Sequence, residues 1–176
     1  MNEEERKLLQ SIDQILQDPS VAEQIDEIAD RVEAKFSGSA EVLTWETVPL
    51  EIYKGKLPDQ IRSSWIFLLK EGSNSGAERH PNSHQRVRSW RRTADFQIWM
   101  ENHWQSHILL DDFYAKVEDH WASIPVNVWH QAVVAPGQHW IVVSFHTATA
   151  DELIEERPDP ADEKRMQRRI YTEVHS

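Results

Sequence analysis

The chain has 176 residues, no Cys, eight Trp and a formal charge of −11. The missing Cys excludes disulfides, thiolate catalysis and thiolate metal sites, and the acidic balance argues against nucleic-acid binding. A hydrophobic share of 39% is too high for a disordered chain, and no apolar run approaches the ~18 residues of a spanning helix.

The first 36 residues read as two helices. Leu8, Leu9, Ile12, Ile15 and Leu16 recur at helical spacing, and Asp18-Pro19-Ser20 interrupts them. Ser20 and Glu23 form a capping box for a second helix, whose stripe is Val21, Ile25, Ile28, Ala29, Val32 and Phe36. Ser37-Gly38-Ser39 ends it. The polar faces are acidic, so a hairpin packed on the main domain or on a partner subunit is expected, not a membrane-binding one.

The texture then changes to strands. Short β segments are expected at Val42–Glu46, Ser64–Lys70, Gln85–Trp90, Asp95–Met100, Gln105–Leu110, Trp121–Ile124, Val126–Ala135 and Trp140–Thr147, with a turn at Pro136-Gly137. Many short strands with turns between them suggest a sandwich, jelly roll or barrel. Asp151–Glu156 reads as a helical turn. Arg157–Ser176 reads as a charged surface tail with a short helix over Lys164–Ile170. The divisions expected are a helical segment (1–38), a barrel (39–155) and a tail (156–176).

The densest polar cluster is Glu78-Arg79-His80-Pro81-Asn82-Ser83-His84-Gln85. Glu78 and His80 point to one side of an extended segment, and Pro81-Asn82-Ser83 is turn chemistry that lets His84 point back. His130 lies far along the chain. Three neutral imidazoles and a carboxylate make a borderline-hard site for Fe, Mn, Ni, Cu or Zn. Each histidine taken singly is more often structural; the joint spacing is what favours a site.

These residues resemble the cupin superfamily. Its first motif reads G-x5-H-x-H-x3–4-E-x6-G, and Gly72 here precedes Glu78-x-His80-x3-His84 with the outer ligand types exchanged. The last Gly falls on Arg91. The second motif reads G-x5-P-x-G-x2-H-x3-N. Pro125-x-Asn127-x2-His130 keeps its Pro and His, while Asp119, Asn127 and Val134 replace the leading Gly, the inner Gly and the Asn. The resemblance spans Ser63 to Ala148 and implies a mainly β fold: a cupin double-stranded β-helix, or jelly-roll barrel, behind the N-terminal α-helical hairpin. It implies one divalent transition metal (Fe, Mn, Ni or Zn) on Glu78, His80, His84 and His130, and frequently a homodimer.

With His84 inward, alternation puts Arg86 and Arg88 inside as well, where they would orient an anionic substrate; a bulge would instead leave them outside, paired with carboxylates. His146 shares a strand face with Ser144 and Val142 and is a candidate general base. The expected function is a metal-dependent cupin enzyme (dioxygenase, isomerase or lyase type) acting on a small organic molecule, anionic where Arg86 and Arg88 face it. The alternative is a non-catalytic cupin that binds a small ligand or has a structural or regulatory role. The N-terminal Met1-Asn2-Glu3-Glu4-Glu5-Arg6 carries no secretory signal, so a cytoplasmic protein with no nucleic-acid or membrane partner is expected.

Overall fold

The computed structural model describes residues 1–174. Helices α1 (Glu3–Leu16) and α2 (Pro19–Phe36) form the N-terminal hairpin. Asn2 caps α1, its side chain accepting from the Glu5 N–H at 2.8 Å. Asp18, not Ser20, caps α2, accepting from the Ser20 N–H at 3.1 Å. The reason is Pro19, whose fixed φ suits the first helical position and moves the start upstream of the expected capping box.

Eight strands follow: β1 (Leu43–Thr47), β2 (Ser63–Leu69), β3 (Gln85–Arg91), β4 (Ala94–Met100), β5 (His103–Leu109), β6 (Trp121–Ile124), β7 (His130–Val133) and β8 (Trp140–His146). A one-turn helix, α3 (Val117–His120), precedes β6. The strands assemble into a five-stranded sheet of order β1-β2-β8-β3-β6 and a three-stranded sheet of order β5-β4-β7, antiparallel throughout. β7 is shorter than the expected Val126–Ala135 segment. Val126 and Asn127 turn instead, with Asn127 at φ +67°, a left-handed conformation that asparagine tolerates better than most side chains.

The expected surface tail is a correction. Of the segment read as a helical turn, Asp151 and Glu152 do turn, but Ile154–Glu156 enter β9 (Ile154–Asp159), and the segment read as a short helix becomes β10 (Asp162–Ile170). They pair as a hairpin in which Arg168 faces Glu156 and Arg169 faces Glu155. Opposite charges directly across an antiparallel ladder stabilise it, and helical spacing forgoes that pairing. A 3-10 helix (Tyr171–Val174) follows, and Tyr171 is buried. His175 and Ser176, the end of the expected tail, lie outside the described residues.

The inner strands of the five-stranded sheet, β2, β8 and β3, are buried on both faces. On β2, Trp65, Phe67 and Leu69 enter the barrel interior, while Ile66 and Leu68 pack under the helices. On β8, Trp140 and Val142 face the barrel, and Ile141, Val143 and Phe145 face the helices. Two-sided burial explains why both strands read as unbroken apolar runs.

β3 follows the same alternation with arginines on the helix side, which corrects the expectation for Arg86 and Arg88. Arg86 Nε and Nη2 donate to Glu5 at 2.7 and 3.0 Å. The Arg88 guanidinium is fully buried, with Nε 3.3 Å from Asp13 and its plane over the Phe113 ring at 3.6 Å. Asp13 also accepts from His120 Nε2 at 2.7 Å and Trp121 Nε1 at 3.0 Å. Arg91 pairs with Asp26 and Asp30 of α2 at 2.7 Å each. The arginine-rich strand is thus the receptor for an acidic helical hairpin. No helix among the described residues is long and apolar enough to cross a membrane.

Two outcomes follow from this interface. Asp13→Ala removes the carboxylate but leaves the Arg88 charge buried, so a loss of about 3–5 kcal/mol is expected in chemical denaturation. Burial opposes ionisation of Glu5, but hydrogen bonds from Arg86 and Ser123 outweigh it and hold the carboxyl below the ordinary glutamate value. A lowered folded-state pKa contributes stability above the unfolded value of about 4.3 and loses it as pH falls through the folded value. Glu5→Gln should therefore flatten part of the acid limb of the stability–pH curve measured from pH 6 to 3.

Candidate metal centre

Backbone pairing creates the site. Glu78 and His130 form an antiparallel bridge, exchanging both N–H···O bonds at 2.9 Å. Directly opposed residues send their side chains to the same side of the ladder, so the carboxylate and the imidazole meet. His80 stands two residues beyond Glu78, and the Asn127 N–H donates to its carbonyl at 2.9 Å. The turn at Asn127 therefore clamps the segment carrying His130 against the one carrying Glu78 and His80. Their potential ligand atoms all lie within 4.8 Å of one another. Arg79 and Trp129, the residues between, point away and stack on each other at 4.6 Å.

Both imidazoles are anchored through Nδ1. His80 Nδ1 donates to the Ile154 carbonyl at 2.9 Å, and His130 Nδ1 to the Val128 carbonyl at 3.1 Å. A carbonyl only accepts, so each Nδ1 carries a proton and each Nε2 is the nitrogen left for the site. His130 Nε2 is buried without a hydrogen-bond partner, 3.4 Å from Glu78 Oε1. Burial, reinforced by the nearby His130, pushes His80 down to about 4, so it is neutral at pH 7. Burial alone would raise the Glu78 carboxyl, but the Arg157 guanidinium and His130 hold it well below the carboxylate range. Two imidazoles and one carboxylate suit a divalent first-row metal, and a ring whose other nitrogen is anchored is the usual arrangement of a ligating histidine.

His84 does not join this group. Its Nε2 pairs with Ser123 Oγ at 2.8 Å, on the face covered by α1. The motif allows three or four residues before its carboxylate position, and with four the position is Gln85, which lines the barrel cavity. Gln85 Oε1 is buried and unpartnered, while Nε2 donates to Ser144 at 3.2 Å. His146 is fully buried beside His80, with ring centroids 5.1 Å apart and Nε2 3.0 Å from Ser144 Oγ. Burial, then the proximity of His80 and His130, push it well below the ordinary histidine value.

Two residues escaped the sequence reading because they lie in the supposed tail. Arg157 of β9 binds Glu78 Oε2, and it also donates to Glu155 Oε1 at 2.8 Å and to the Ser75 carbonyl at 2.7 Å. Tyr171 walls the cavity and packs edge-on against Trp65 and Phe67. The one signal for them was the apolar Ile154 and Tyr171 at the two ends of an otherwise charged segment. The cavity measures about 40 Å³, with Phe67, Val87, Phe96, Trp140 and Val142 as its apolar wall and Gln85, Gln131 and Glu78 as polar groups. That admits a water or two, or a ligand of a few atoms beside an ion.

No family model and no curated protein sequence matches the chain. Solved structures do. Pumpkin seed globulin aligns with a TM-score of 0.50 at 14% identity, over 68% of this chain and 29% of the globulin. An oxalate oxidase in complex with glycolate aligns at TM-score 0.49 and 10% identity, over 64% of this chain and 54% of the oxidase. The polysaccharide-assembling protein CapF from Staphylococcus aureus aligns at 0.49 and 10%, over 65% and 31%. The chain spans about half the length of the oxidase and under a third of the other two. At such identities the likeness is one of fold, and the fold is the cupin double-stranded β-helix.

The placement of His84 gives a direct test. His84→Ala should leave the metal content of purified protein unchanged and cost about 0.5–1.5 kcal/mol of stability, the worth of one hydrogen bond. Loss of metal in that variant would restore it to the site.

Proposed function

We propose that this cupin-fold chain is a metal-dependent protein in which Glu78, His80 and His130 hold one divalent transition metal, and that it acts on a small organic molecule admitted to the barrel. The observation that carries this reading is the convergence of a carboxylate and two imidazoles whose Nδ1 protons are already committed to backbone carbonyls. Such a metal supplies Lewis acidity and a template for substrate or O₂. The chain's own residues supply the rest. The carbonyls of Ile154 and Val128 orient the two rings. The aromatic wall of Phe67, Phe96 and Trp140 excludes water. Gln85 Oε1 offers a further acceptor toward the same space. His146, held by Ser144, stands next to His80 and is the proposed proton acceptor.

The charge of the molecule is revised. With Arg86 and Arg88 bound to α1, the described cavity lining contains no Lys or Arg. The wall suits a small, mostly neutral molecule better than a free anion.

A second reading, non-catalytic binding of a small ligand, is favoured by one observation. His146 is fully buried, and Ser144 and Ser83 stand 3.0 and 3.4 Å from its two ring nitrogens, as a structural histidine would be. The two readings share the metal and differ in turnover.

Elemental analysis of untagged protein, as purified and after reconstitution with Fe, Mn, Ni or Zn, is expected to find about one metal per chain. His130→Ala and Glu78→Ala should each lose it. A wild-type chain that takes up no metal under any of these conditions overturns the proposal.

A further inference from the structure

We infer that the C-terminal hairpin β9–β10 completes the metal centre: Arg157 is a positioning residue for Glu78, and metal occupancy and hairpin docking stabilise each other. This rests on the metal reading above and goes beyond it by assigning the hairpin a linked role.

The hairpin belongs to neither barrel sheet. β9 and β10 form a two-stranded sheet of their own, joined to the barrel backbone by one bridge, Arg79 to Glu156, with two N–H···O bonds of 3.0 Å. A hairpin with so little ladder pairing opens locally at low free-energy cost unless its side chains are anchored. The anchors converge on the candidate ligands. The Ile154 carbonyl, at the first residue of β9, accepts the His80 Nδ1 proton. Arg157 takes Glu78 Oε2 and leaves Oε1 facing His130 Nε2 at 3.4 Å. Tyr171, immediately after β10, walls the cavity. Two of the three candidate ligands are thus oriented from the hairpin.

Arg157 is itself fixed, held between two carboxylates. Nε donates to Glu155, which is 2% exposed, and Nη1 donates to the Ser75 carbonyl. Glu78 and Glu155 face Arg157 and Arg169 in a network of two carboxylates and two guanidiniums, with Arg169 reaching Glu155 from the rim at 2.7 Å. Glu78 Oε1, which faces the imidazoles, is the oxygen of this network left for a dication. A carboxylate with one oxygen pinned and the other aimed at the imidazoles has fewer orientations to lose when a metal binds. The linkage is reciprocal: whatever free energy the docked hairpin adds to metal binding, the metal returns to hairpin docking.

The test uses the full chain with Mn²⁺ or Zn²⁺ alone as the probe. Affinity is read by equilibrium dialysis, and hydrogen exchange is followed at the amides of residues 154–171. In the wild type, metal should slow exchange across the hairpin. Arg157→Met should weaken metal binding about 10–100-fold, the usual range for groups that orient a ligand, and abolish that slowing. Arg157→Lys, which keeps the charge, should recover part of both. Arg165→Met, an exposed hairpin position that pairs with Asp162 at 3.4 Å, should change neither. Circular dichroism checks that each variant is folded, and the wild-type exchange experiment needs no variant.

Equal or tighter metal binding by Arg157→Met would mean that Arg157 competes with the metal, and overturns the inference. So does a wild-type hairpin whose exchange ignores bound metal; in that case the metal centre stands and only the linkage fails. A wild type that binds no metal removes both.

Discussion

The central sheet is covered on both sides, and every other assignment depends on that constraint. One side closes the barrel and the other receives the helical hairpin, so parity sets the destination of each residue of β2 and β8 and of β3 as far as Ser89, where a bulge turns Arg91 to the helix side too. Parity sends Trp65, Val87, Val142 and His146 inward, and Ile66, Arg86, Arg88 and Phe145 toward the helices. An acidic chain with one arginine-rich strand becomes intelligible on this basis. Arg86, Arg88 and Arg91 are the counter-charges for Glu5, Asp13, Asp26 and Asp30.

Parity also explains what was legible in the sequence. The eight strands from Leu43 to His146 appear in the expected order because their apolar runs and turn residues are local signals. The pairing of Glu78, His80 and His130 was legible because two short motifs preserve it. Which way His84 points was not, because a motif with a spacing of three or four residues leaves parity undetermined. Choosing three put His84 inside and carried Arg86 and Arg88 in with it; the fold uses four, putting Gln85 inside. One residue of register thus moved a ligand and both proposed substrate contacts to the far side of the sheet. The helical hairpin was legible as helices, but its docking face was not. Asp13 sits next to the apolar stripe of α1, and only the positions of Arg88, His120 and Trp121 show why a carboxylate is tolerated there.

The end of the chain was hidden for a different reason. Residues 154–170 are mostly charged, which reads as solvent-facing when the partners are unknown. Here the charges face each other. Glu155 meets Arg157 and Arg169, and Glu156 meets Arg79. Buried ion networks satisfy polar atoms at short range without any periodic apolar signature, so a window of sequence cannot tell them from a solvated tail. Composition alone misplaces such segments; the apolar residues at their ends, Ile154 and Tyr171, mark where the chain returns to the interior.

The late position of β9 and β10 also bears on how the chain is made. Synthesis runs from the N-terminus, so all eight barrel strands exist before Arg157 and Tyr171 are joined to the chain. Until those residues arrive, Glu78 has no guanidinium partner, the His80 ring has no Ile154 carbonyl, and the cavity has no Tyr171 wall. A nascent barrel therefore presents an open cavity with Glu78 and His80 unanchored, and the pocket takes its finished shape only after Tyr171 has been added.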